Sequence, residues 1–332
     1  MITKKRKFAA FCITAIALVV LFFISVNTGS LKVGWQQLFN GLFIAYDEQV
    51  AIVYDLRFPR IFVAMLGGAA VALSGVLLQA VMKNPLADPG IIGISSGASF
   101  MAIVITGLFP ALYFYVPAFA FLGGVIAFAL VYGLSYKDGL SPLRIILVGV
   151  AVNAMFMGLM NAFDSGTGNK LSGVASIVNA NISMKTWEDF SLLAVYVSIG
   201  ILLSLLVANR CNLLALDDKT IRSLGINVTV NRLLVSMVAV LLASISTAVI
   251  GPISFLGLIV PHIARILVGS DHKVLIPYAA ILGAFILLLA DTIGRTIVYP
   301  YEISAMVIMS VIGGPFFIVL LRHSGANYGK QS

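Results

Sequence analysis

Charged side chains are scarce in this chain and fall into short clusters, so each cluster is a candidate for chemistry. The longest is Asn209-Arg-Cys-Asn-Leu-Leu-Ala-Leu-Asp-Asp-Lys-Thr-Ile-Arg-Ser-Leu-Gly-Ile-Asn-Val-Thr-Val-Asn-Arg232, a polar island with six apolar runs before it and four after. Within it Leu216 to Leu224 reads as a short helix. Asp217 and Asp218 sit at its positive N-terminal end, Ile221 and Leu224 lie on one side, and Gly225 supplies the stop. A short amphipathic helix with nothing of its own to pack on is a surface for a partner, whereas a solvated loop needs no apolar stripe closed by a glycine. A second cluster is Asp55-Leu-Arg-Phe-Pro-Arg60, where Pro59 fixes the start of an apolar run so that Arg57 and Arg60 point outward. Such a pair suits a carboxylate on a docking protein, or anchors the helix by snorkelling to headgroups; both readings stand. A third is Asp291-Thr-Ile-Gly-Arg295, an acid and a base at i, i+4, either a structural ion pair or a substrate contact.

Bond-making chemistry has no foothold. The chain contains no G-x-x-x-x-G-K-[ST], no H-E-x-x-H, no C-x-x-C and no nucleophile elbow, so it does not hydrolyse ATP by itself. His262, His272 and His323 fall at or near the ends of apolar runs, far apart in sequence, and read as solvated or capping groups rather than a metal site. Cys12 lies in the first apolar run and Cys211 in the polar island, which excludes a disulfide framework. No catalytic residue, metal or cofactor is expected.

The elements that must position these clusters are membrane spans. With 60% hydrophobic residues, 10% charged ones and a mean hydropathy of +1.06 over 332 residues, the chain has too little polar surface for a soluble globule. Apolar windows at about 8–27, 60–82, 91–109, 113–134, 143–163, 190–208, 233–250, 253–268, 274–297 and 303–321 give ten spans, the eighth being short. The first follows Lys4, Lys5, Arg6 and Lys7; it is longer than a signal-peptide core and has no A-x-A-like site after it, so it reads as a retained span. With the N-terminus inside, fifteen Lys and Arg residues fall on the cytoplasmic side against six outside, which places both termini and the polar island in the cytoplasm. That asymmetry also accounts for the net charge of +8; no stripe of aromatics interleaves the basic residues, and nucleic acid is not an expected partner. The whole chain, 1–332, reads as one transmembrane domain with a cytoplasmic loop at about 209–232. Gln79-Ala-Val-Met-Lys-Asn-Pro-Leu-Ala-Asp-Pro-Gly90 is a sharp inner turn, and Gly251-Pro-Ile-Ser-Phe-Leu-Gly-Leu-Ile-Val-Pro-His-Ile-Ala-Arg265 is a span broken by Pro261.

Taken in order, L-R-x-P-R, Q-x-x-x-x-N-P-L-A-x-P, the L-x-x-x-x-R-S-L-G loop with its N-R, G-P-I-x-F-x-G-L-I-x-P-H-I-x-R and D-x-x-x-R before a final G-G-P-x-F resemble the FecCD-type permease family, from about residue 55 to about 321. These are membrane subunits of bacterial ABC importers for iron-siderophores, haem and vitamin B12. The resemblance implies an all-α, type II importer permease of about ten transmembrane helices in the cytoplasmic membrane. Its implied partners are a second permease subunit, identical or paralogous, two ATP-binding subunits and an extracytoplasmic substrate-binding protein. Carried over residue by residue, Arg57 and Arg60, joined by Arg295, match the arginines that meet acidic residues of the binding protein. Asp217, Asp218, Lys219, Arg222, Leu224 and Gly225 match the coupling element that sits in a cleft of the ATPase. Ser141 and Pro142 fall at the family's cytoplasmic gate, where Pro142 departs from the small hydroxyl residues of the pattern. The resemblance makes an iron-siderophore the expected cargo, with haem or cobalamin as the alternative. An ion-gradient-driven transporter would need acids or histidines in mid-span; Asp291 is the candidate, and Arg295 neutralises it. A channel or receptor without transport would not need the capped cytoplasmic helix.

Overall fold

In the computed structural model, residues 2–29, 33–135, 142–167 and 182–328 are described, and all regular structure among them is helical. The helices are α1 (Lys4–Asn27), α2 (Trp35–Phe43), α3 (Glu48–Leu56), α4 (Phe58–Met82), α5 (Ile94–Leu108), α6 (Val116–Ser135), α7 (Pro142–Gly166), α8 (Trp187–Leu214), α9 (Asp218–Ser223), α10 (Val228–Ile250), α11 (Leu256–Val268), α12 (His272–Thr296) and α13 (Ala305–Tyr328), with a 3₁₀ turn at Pro110–Tyr115. Among the described residues seven helical stretches are long and apolar enough to cross a membrane, and three shorter apolar ones, in α5, α11 and α13, accompany them. Each of the ten apolar windows therefore holds a helix. The short helices α2 and α3 were not foreseen; they occupy the polar-rich segment before the second window.

α4 is the axis of the bundle. It packs against α8, α10, α11 and α12, and most of its 25 residues are buried. Helices without an aqueous driving force between them associate through close backbone approach, and glycines supply it. A Cβ on Gly75 would stand 1.9 Å from the Gly257 carbonyl oxygen of α11, and one on Gly68 would stand 2.3 Å from Gly283 O of α12. α1 is peripheral: Phe8, Ile13, Ile16, Val19 and Val20 are exposed, an apolar surface that only lipid or another apolar partner can cover.

The broken span differs from expectation. Pro261 lies inside a continuous α11, and the discontinuity is upstream, at 251–255, between Gly251 (φ 78°) and Phe255 (φ 65°). A proline removes the hydrogen bond to the carbonyl four residues back, here Gly257. Gln79 of α4 donates its side-chain amide to that oxygen at 3.3 Å, and Arg265 donates to Gln79 Oε1 at 2.6 Å. Satisfying the freed carbonyl from a neighbouring helix is what lets α11 run on through Pro261. The turn after α4 is buried against the same place, with Asp88 Oδ1 accepting from the Gly90 and Ile91 N–H groups at 2.8 and 3.3 Å.

Candidate functional site

Two polar centres stand at opposite ends of α4. At its N-terminal end Arg60 is 7% exposed and reaches inward rather than outward. Its Nε and Nη2 donate to Asp291 of α12 at 2.9–3.2 Å, and Nη1 donates to both oxygens of Glu302 at 3.1 and 2.9 Å. The planar guanidinium thus serves two carboxylates with its two edges, which an ammonium could not do. Arg295, also 7% exposed, holds Nε 3.3 Å from Asp291 Oδ2 and donates to the Ser25 hydroxyl and carbonyl at the end of α1. The i, i+4 pair expected on α12 is present, but Asp291 has Arg60 as its closer partner. Arg57 is half-buried and donates to Val26 O at 2.8 Å.

Arg57, Arg60, Arg295 and Glu302 line a cavity of about 390 Å³ together with Gly29, Ser183 and Tyr299. Three guanidinium groups and the Glu302 carboxylate line it, and with Asp291 buried beneath Arg60 the cluster keeps one positive charge in excess. Glu302 lies in the loop after α12; burial would raise its pKa, but Arg60 beside it overrides burial and holds the carboxyl below its ordinary value. Ser183 donates to Glu302 Oε2 at 3.0 Å. Glu302, Ser183 and Ser25 were not singled out in the sequence. For Glu302 a signal existed, since it is the one acid between the last two apolar windows.

At the other end of α4 lies the polar island. α9 covers Asp218–Ser223, with Asp217 at the N-cap position but no side-chain capping bond, and Gly225 (φ 75°) closes it. The Gly225 N–H donates to Arg222 O and the Ile226 N–H to Ile221 O. Ile221 is fully buried while Leu224, just past the helix, is 60% exposed, so the two do not share a side as expected. The solvated surface carries Leu216, Asp217, Lys219, Arg222 and Leu224. Asp218 Oδ1 instead accepts from Lys83 Nζ at 2.8 Å and Arg232 Nη2 at 3.0 Å. Burial would raise the Asp218 pKa; those two cations outweigh it and hold the carboxyl below its ordinary value.

The base of this region is tied to α12: Asn212 Oδ1 accepts from the His272 backbone N–H at 2.9 Å, and Asn212 Nδ2 donates to Asp271 at 2.7 Å. His272 is thus a buried structural residue at a helix start, while His262 packs edge-on against Phe316. Among the described residues no group of His, Cys, Asp and Glu could hold a metal ion. Of the expected gate, Pro142 is the first residue of α7 and Ser141 lies outside the described residues.

The pattern described as the FecCD transport family matches residues 17–323. Curated relatives from Staphylococcus aureus strains bovine RF122 and Newman, whose assigned name is heme-iron transport system permease protein IsdF, are 41% identical over 327 residues, covering 98% of this chain and 99% of theirs. A solved structure described as an inward-facing conformation of an ABC transporter assigned to the metal-chelate type superposes with a TM-score of 0.79 at 29% identity, over 95% of this chain and 99% of that one. A second, PsaBC from Streptococcus pneumoniae in complex with Fab, has a TM-score of 0.56 at 15% identity over 86% of this chain and 95% of that one, a likeness of fold alone.

Proposed function

The chain belongs to the FecCD transport family and has the architecture of a type II ABC importer permease, a transport subunit and not an enzyme; on that premise we propose that it forms the translocation pathway for an iron chelate, haem in the first instance. The observation that carries the choice of cargo is the 41% identity, end to end, with permeases named for heme-iron transport. A ferric siderophore is the second reading, favoured by the breadth of iron chelates the family resemblance brings with it.

The two polar centres divide the work. We place the α9 end in the cytoplasm, following the excess of basic residues there, and assign Asp217, Asp218, Lys219, Arg222, Leu224 and Gly225 to contact with a separate ATPase. Leu216 and Leu224 give that face apolar area, and Lys219 and Arg222 give it charge. The arginine-lined cavity at the opposite end receives carboxylates of an extracytoplasmic binding protein. Arg57 is the most accessible of the three; Arg60 and Arg295 shape the site from beneath, being already engaged with Asp291 and Glu302. A second permease subunit completes the pathway, and closure of two ATPase subunits rocks the halves between outward and inward access. On the family resemblance we assign Ser141 and Pro142 to a cytoplasmic gate; Pro142 is the first residue of α7.

The test is growth of a host stripped of its own haem and siderophore permeases, supplied with this chain, its ATPase and its binding protein, on haem or on a ferric siderophore as sole iron source. Growth on haem alone supports the first reading, growth on the siderophore alone the second, and growth on neither removes both.

A further inference from the structure

Resting on the permease reading, we propose that Lys83 is a positioning residue, the strut that carries movement of the ATPase-facing helix α9 into the body of the bundle through α4. Lys83 ends α4 in the left-handed conformation, φ 48° and ψ 35°. That conformation is the usual end of a helix, but glycine or asparagine usually occupies it, because any other L-residue pushes its Cβ against the following carbonyl. A glycine would satisfy this backbone without strain. What lysine adds is its side chain, and an outlier of this kind asks for a functional reason.

The side chain goes to one place. Lys83 Nζ donates to the Leu216 carbonyl at 2.5 Å and to Asp218 Oδ1 at 2.8 Å. These are the residue before the Asp217 N-cap of α9 and the first residue within the helix. Asp218 Oδ1 also accepts from Arg232 Nη2, in the first turns of α10. One carboxylate therefore joins three elements: α9, the end of α4 and the start of α10. α9 itself packs against α8 and α10, and Lys83 extends that contact to α4. From Lys83, α4 runs unbroken to Arg60, which is fixed to Asp291 and Glu302 at the far end. A displacement at Leu216 and Asp218 thus has a stiff path to the arginine-lined cavity.

The Lys83 and Asp218 side chains are each about one-third exposed, at 32% and 35%. Pairs so exposed add little to stability, which separates position from folding: losing the strut leaves the fold intact. Lys83→Gly relieves the left-handed backbone while removing the side chain, and Lys83→Arg keeps a cation of similar reach.

The experiment uses the full complex of permease, ATPase subunits and binding protein in proteoliposomes, with haem or whichever chelate the wild-type complex takes up. It reads chelate imported per ATP hydrolysed, the rise in ATPase rate on adding loaded binding protein, the ATPase retained on purification and the thermal midpoint. For Lys83→Gly the expected result is an unchanged or higher midpoint, full retention of the ATPase, at least a fivefold fall in chelate imported per ATP and loss of the stimulation; Lys83→Arg recovers most of both. Normal coupling in Lys83→Gly overturns the strut. So does equal uncoupling in Lys83→Arg, which would make the cation irrelevant. Loss of the ATPase from the Lys83→Gly complex overturns it too, by placing Lys83 in the docking surface. A wild-type complex without ATP-dependent uptake fails the permease reading itself, and the strut falls with it.

Discussion

Replacing Arg60 with methionine is the sharpest probe of the cluster at the N-terminal end of α4. The change keeps a long flexible side chain but removes the donors that hold Asp291 and Glu302. Glu302 is 43% exposed and regains water easily, so its loss counts for little. Asp291 is 2% exposed and would keep only Arg295, 3.3 Å away. Breaking a buried pair costs about 3–5 kcal/mol when nothing replaces the partner. With Arg295 still in place, the expected cost is about 2–3 kcal/mol, a fall in thermal midpoint of roughly 4–8 °C for a chain of this size. Arg60→Lys keeps the charge without the fork and should lose about half as much. Asp291→Asn leaves two buried guanidinium groups facing each other, and because both variants remove the same interaction, the double variant should be destabilised by at least 1 kcal/mol less than the sum, an estimate within the usual range for residues in contact. Fluorescence-detected size-exclusion profiles of heated, detergent-solubilised samples measure all four. A midpoint for Arg60→Met within a degree of wild type, or strict additivity in the double variant, would refute the buried-cluster reasoning.

Four further outcomes follow from the same geometry. Arg57→Glu should weaken binding-protein association by about 1–3 kcal/mol, the range for a charge-assisted hydrogen bond, and a compensating Glu→Arg on the binding protein should restore part of it in a nanodisc titration; normal affinity removes Arg57 from the docking site. Burial pushes the Asp88 carboxyl up to about 6, only partly offset by the Gly90 and Ile91 N–H groups; its folded pKa therefore exceeds its unfolded one, the stabilisation it contributes is lost as pH rises through about 6, and a stability scan should fall by about 1 kcal/mol between pH 5 and 7 from this group, a slope that Asp88→Asn should flatten. Gly225→Val forces a β-branched residue to φ 75° and should strain the end of α9 by about 1–2 kcal/mol, lowering uptake per ATP while membrane insertion stays normal. Gly75→Ala places its Cβ 1.9 Å from a backbone oxygen and should lower the midpoint strongly, whereas Gly133→Ala, with nothing within 4 Å, should be neutral or slightly stabilising in the same heating assay.

The bundle was legible in the sequence because bilayer-spanning helices announce themselves by composition, and every apolar window found its helix. α2 and α3 escaped because residues 35–56 mix Gln36, Gln37, Asn40, Asp47 and Glu48 with their apolar side chains, so no spanning window opens there. The break in the eighth span was placed at Pro261 because proline is the visible breaker. Gln79, far off in sequence, supplies the bond that repairs it, and the real discontinuity is set by left-handed backbone at Gly251 and Phe255. The polar island was legible through its caps, since Gly225 stops α9 within two residues of where it was expected. Leu224 was misplaced for the same reason, having already left the helix. Arg60 was drawn outward because its partners are Asp291 and Glu302, 231 and 242 residues further on, and no local pattern discloses a contact at that range. Lys83 looked like one more turn residue until the structure showed Asp218 at the end of its side chain.

ATP dependence of transport decides whether this chain works as an ABC importer permease. Purified permease, ATPase and binding protein are sealed into liposomes, and uptake of radiolabelled haem is followed with ATP inside, without ATP, and with a hydrolysis-defective ATPase. Uptake that needs both ATP and the loaded binding protein, and that stops with the defective ATPase, is the predicted result. Uptake that proceeds without ATP along an imposed proton or sodium gradient would contradict it.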